Sequence, residues 1–231
     1  GPDGAGAAGA VGAAARGARP WLFPLVCLAL LGLGLVCLPL HLGHPERMLI
    51  ALTQPGAMIA QEAYWSAALG AVLLIDLALA KAKGSAPRAL RIVGAVAALG
   101  LTFVMANAYF VSAGIPAWAS WQTFPLYVFG NLAMGVALLA VFENGLLERG
   151  GFFAALAALA ALALAAFVLE AVHFAGVGAD MVLFVVAAVL AAVAIVLAYL
   201  TKQGKLALRV GAWATFACLL AAVACARYCF Y

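Results

Sequence analysis

Apolar runs dominate this chain, each about as long as the roughly 20 residues a helix needs to cross roughly 30 Å of hydrocarbon. Seven such stretches follow one another, at 21–43, 57–80, 90–113, 121–142, 151–176, 180–201 and 206–231. Short connectors between them hold most of the Pro, Lys and Arg. Hydrocarbon offers no water to an unpaired backbone N–H or C=O, so a spanning segment must satisfy its own hydrogen bonds. A helix does this and an open strand does not. The expected fold is all-α: a polytopic integral membrane helix bundle with seven transmembrane helices.

Composition sets the solvent. Of 231 residues, 69% are hydrophobic and 9% charged, whereas a soluble domain carries about 25% charged residues. The partner of most of this surface is the lipid bilayer. The net charge of +4 falls in clusters between apolar runs, which is the pattern of membrane topology and excludes a phosphate-binding face for nucleic acid. Threading the seven segments puts ten of the twelve basic residues on the side where the first helix starts, and only Arg47 and Arg227 on the other. The positive-inside rule makes the richer side cytoplasmic.

Residues 1–20 form an Ala/Gly-rich lead, read as disordered or as a truncated start, and 21–231 form the transmembrane domain. The five cysteines lie in apolar segments with no CxxC pair, so each reads as a small buried hydrophobe. An iron–sulfur cluster needs four grouped thiolates, and none is expected in this chain.

Threading also gathers polar residues at the face opposite the basic one. His41, His44, Glu46 and Arg47 follow the first helix and Glu62 opens the second. Tyr109 closes the third helix, Glu170 and His173 the fifth, and Arg227 the seventh. An ionisable group inside a span is costly and marks a cavity or a partner. Glu62, on an otherwise apolar helix, is the clearest instance, with an ion pair between helices as its plainer explanation. Asp76 is expected to reach the opposite interface.

Three chemistries compete for this face. Haem would use His41 and His173 as axial ligands on facing helices. A metal site would draw on His41, His44 and Glu46, which have ligand types but no strong spacing signature. A quinol site needs a partner for the ring oxygen, a proton acceptor and apolar walls, and His41 with Glu62 supplies these in a Leu- and Ala-lined bundle.

The stretch HLGHPERMLIALTQPGAMIAQEAYWSAALGAVLL (41–74) resembles the membrane anchor subunit of anaerobic dimethyl sulfoxide reductases. The matching motifs are His41-Leu42-Gly43, Pro45-Glu46-Arg47 and Gln61-Glu62. Further likenesses are NAYFVSAGIPAWASWQTFPLYVFGNLAMG (107–135) and the closing ARYCFY. The resemblance implies an anchor that oxidises menaquinol near the extracytoplasmic face of the bacterial cytoplasmic membrane. Its electrons would pass to an iron–sulfur subunit and on to a molybdopterin catalytic subunit that reduces dimethyl sulfoxide or a related acceptor. His41 and Glu62 would hold the quinol and take its protons, with Arg47 beside them. Tyr109, Glu170, His173 and Arg227 are secondary candidates. No haem and no metal are implied, and this chain holds no catalytic residue for the terminal acceptor. The family has eight spanning helices where seven are visible here, so a fragment is expected. The rival readings are a small-molecule transporter, which would need a polar midplane path, and a purely structural anchor.

Overall fold

A computed structural model describes residues 20–40, 50, 52–143 and 145–230, of which 38–40 by backbone alone. Among the described residues there is no strand, and seven α-helices follow one another. They are α1 (Leu22–Leu40), α2 (Met58–Lys83), α3 (Arg88–Phe110), α4 (Thr123–Phe142), α5 (Gly150–Gly176), α6 (Val182–Lys202) and α7 (Leu208–Tyr228). A single 3-10 turn, Leu146–Glu148, joins α4 to α5. Helices α2 to α7 are long and apolar enough to cross a membrane. The apolar part of α1, Leu22–Cys37, is shorter. The whole of α1 has 19 residues, which reach about 28 Å at 1.5 Å per residue and so come close to the bilayer core.

Between α2 and α3 the chain turns by local chemistry. Gly84 takes a left-handed φ of 76° and donates its N–H to Ala80 O, while Pro87 precedes the first residue of α3. Glycine tolerates that φ without a Cβ clash, and Lys81 and Lys83 in the last turn of α2 complement the dipole.

Helices α4, α5, α6 and α7 pack in a closed ring, α4 on α5, α5 on α6, α6 on α7 and α7 on α4. A flank of α1, α2 and α3, packed in that order, attaches through α3 to α4. The ring is held by size rather than by polarity. On α5 the buried stripe is Leu156, Ala160, Ala163, Phe167, Glu170 and Phe174, alternating steps of four and three. Phe184, Ala187, Ala191, Ala194, Ala198 and Thr201 continue the same alternation on α6. This heptad spacing keeps one seam facing the neighbour, and small residues on it let backbones approach closely without a water-driven hydrophobic force. At the tightest point, a Cβ on Gly211 of α7 would run into the Thr201 hydroxyl of α6. Phe167, Phe174 and Phe184 fill the space between the small residues, while Val172, Val189, Val196 and Val210 are exposed, as lipid contact requires.

The two ends differ. Eight of the nine described Lys and Arg residues sit at the end where α1, α3, α5 and α7 start, and Arg227 alone sits at the other. At the basic end Lys202 lies 4.5 Å over the Phe153 ring and Lys81 5.4 Å over Trp21. These are the aromatic and basic anchors of a membrane interface.

Candidate functional site

The opposite, polar end is roofed by the α3–α4 connector, residues 111–122, which folds as a run of tight turns. This connector is pinned to α5. His173 Nε2 lies 3.2 Å from Pro116 O, and since a carbonyl only accepts, the ring donates through Nε2–H. Below it, Glu170 is fully buried on the α5 seam. Thr123 Oγ1 donates to Glu170 Oε1 at 3.0 Å, and Ser120 Oγ donates to Oε2 at 3.3 Å. Each carboxyl oxygen thus has a hydroxyl partner, which offsets part of the cost of burying it.

Beside this pair an aromatic cluster fills the space between α3, α4 and α7. The Tyr109 ring lies 4.8 Å from Phe230, 5.5 Å from Trp118 and 5.7 Å from Tyr127. Phe230 also meets Phe174 of α5 and Phe184 of α6, so the cluster ties both sides of the ring together. Arg227 lies over Tyr127 at 4.6 Å, within cation–π reach. Its Nη2 donates to Asn131 Oδ1 at 2.8 Å, and Asn131 Nδ2 donates to Thr102 Oγ1 at 3.3 Å. This polar chain joins α7, α4 and α3.

On the flank, Glu62 stands in the second turn of α2, half-buried. Met58 and Ser66 lie one turn before and after it, on the same stripe. Met58 Sδ accepts from Asn107 Nδ2 of α3 at 3.3 Å, and Ser66 is buried. Tyr64 OH donates to Leu52 O and Gln61 Nε2 to Pro55 O, so the first turns of α2 are fastened to the segment before it.

The structure therefore brings Glu62, Tyr109, Glu170, His173 and Arg227 to one end, as two groups: Glu62 on the flank and the other four around the ring. His41 and Arg47, with His44 and Glu46, lie outside the described residues. Among the described residues no group of three His, Cys, Asp or Glu side chains is placed to hold a metal ion. Sequence reasoning missed Ser120, Thr123, Tyr127, Asn131 and Thr102. The available signal was Thr123, Tyr127 and Asn131 at four-residue intervals, a polar stripe on an otherwise apolar helix. Asp76 lies on α2 toward the basic end. Its Oδ1 is buried and has no hydrogen-bond partner, although the residue as a whole is half-buried.

Compared with known families, residues 21–231 match the one described as DMSO reductase anchor subunit (DmsC). The chain belongs to that family. It is a multi-pass membrane anchor subunit, and the match begins where the first helix begins and runs through all seven. No curated protein and no solved structure matches it. Membership in an anchor family sets aside the transporter reading.

Proposed function

We propose that this anchor subunit oxidises menaquinol at its polar end and delivers the electrons to an iron–sulfur subunit. A molybdopterin catalytic subunit then reduces dimethyl sulfoxide or a related acceptor. The polar end faces the extracytoplasmic side of the bacterial cytoplasmic membrane, because the basic residues cluster at the other end. Oxidation of one quinol to the quinone releases two electrons and two protons. His41 hydrogen-bonds one ring hydroxyl and takes its proton, and Glu62 takes or relays the second. Arg47 balances the charge of Glu62. Tyr109, Glu170, His173 and Arg227 hold the roof and the neighbouring helix ends in place.

The observation that carries this reading is the family match across 21–231, which spans both His41-Leu42-Gly43 and Gln61-Glu62. The position of Glu62 supports it, since a half-buried carboxylate near one membrane boundary can exchange protons with an apolar ligand and with water. Oxidation of a soluble quinol analogue by the assembled complex tests it. Glu62→Gln keeps the shape and removes the proton acceptor, so turnover falls by about 100-fold, the lower range of a lost general base. Undiminished turnover in Glu62→Gln contradicts the assignment.

A further inference from the structure

At the basic end a second cavity of about 500 Å³ opens between α1, α2, α3 and α4. Its walls are mostly apolar, with Phe23 and Cys27 of α1 and Leu73 of α2 among them, and three charged side chains complete the lining. Asp76 is the innermost. It lies five residues before Lys81, about 7 Å deeper along α2 by helix rise. Arg91 and Glu143 are exposed at the mouth. Asp76 Oδ1 is buried and has no hydrogen-bond partner. An ionisable group left this way inside a span is expensive, and its retention points to a ligand.

The charges name the ligand class. Two carboxylates and one guanidinium line the cavity, so its charged lining is net negative, and its one cation, Arg91, is exposed at the mouth. An anionic lipid head would bring net negative charge and no cation for the two carboxylates, and a quinone would add acceptors to an acceptor already unpaired. A head carrying a primary ammonium and a phosphate meets both needs, with N–H donors for Asp76 and Glu143 and phosphate oxygens for Arg91. Apolar walls suit an attached acyl chain, and Lys81 over Trp21 marks the interface level at which such a head would enter. We propose that this cavity binds an aminophospholipid, with its ammonium on Asp76.

Native mass spectrometry of the delipidated, detergent-solubilised protein, with any subunits that co-purify, tests this by titration. The probes are dioleoyl phosphatidylethanolamine and dioleoyl phosphatidylcholine, which share charge and acyl chains and differ in the three methyl groups that replace the N–H donors. The ethanolamine lipid should bind at about tenfold lower concentration, the worth of one charge-assisted hydrogen bond. Asp76→Asn should remove that preference, and Glu143→Gln, at the exposed mouth where folding is not at stake, should reduce it. Asp180→Asn at the other end should leave it intact. Equal binding of the two lipids to the wild type overturns the proposal, as does an undiminished preference in both Asp76→Asn and Glu143→Gln. Displacement of the lipid by equimolar phosphoethanolamine would assign the site to a soluble amine and overturn the lipid assignment.

Discussion

Arg227 Nη2 donates to Asn131 Oδ1 at 2.8 Å, fastening the end of α7 to the middle of α4. The same guanidinium lies over Tyr127, 4.6 Å from its ring centre, and Asn131 passes the connection to Thr102 of α3. One side chain therefore links the four-helix ring to the flank that carries Glu62.

Lysine cannot replace that arrangement, because a point charge on a flexible stem lacks the planar fork that serves a ring face and an amide together. Arg227→Lys should destabilise the solubilised protein by about 1–2 kcal/mol, combining an interhelical hydrogen bond and a cation–π contact. Asn131→Leu should cost a similar amount. The double variant should cost less than the sum, since both changes break the same bond. Thermal melting of the three variants in one detergent checks this, and strict additivity would mean the two residues are not coupled.

Glu170 presents a different balance. Its two oxygens accept from Ser120 and Thr123, whose hydroxyls can rotate to accept instead. Glu170→Gln should therefore fold with a change below about 1 kcal/mol, since an amide finds partners in the same place. Glu170→Ala should cost about 2–4 kcal/mol, leaving a gap on the α5 seam and the Ser120 hydroxyl without this acceptor, while Thr123 Oγ1 keeps Trp118 O at 3.3 Å. The pair of melting curves decides whether the group serves the fold by its hydrogen bonds or through its charge.

At Gly100 of α3, an added Cβ would collide with the six-membered ring of Trp65 on α2. Gly100→Val should lower stability by about 1–3 kcal/mol through overpacking. Combining it with Trp65→Ala should recover part of that loss, because the ring that causes the clash is gone. Failure of the second change to help would place the strain elsewhere in α3.

How far the sequence foretold this structure depends on whether polarity or size decided a position. Segment lengths and basic clusters are polarity signals, and the seven helices and the two unlike ends follow from them. The ring seams do not. In FFAALAALAALALAAF every face of α5 is apolar, so hydrophobicity cannot say that Ala160 and Ala163 turn inward while Leu162 meets lipid. That choice rests on which residues are small. Glu170 was legible as a polar residue near a boundary, but its place on the seam was not, since Ser120 and Thr123 reach it from another element. Asp76 was legible as a polar residue toward the basic end, but the burial of its Oδ1 became visible only with α1 and α3 beside α2.

The central claim concerns His41, and the most direct measurement compares two electron donors on one complex. A reduced viologen dye feeds the partner subunits without the anchor, whereas a quinol analogue must be oxidised by it. With His41→Ala, dye-driven reduction of the terminal acceptor should remain at the wild-type level, while quinol-driven reduction should fall by about 100-fold or more. Quinol-driven reduction at the wild-type rate in His41→Ala would contradict the account and leave the chain a structural anchor.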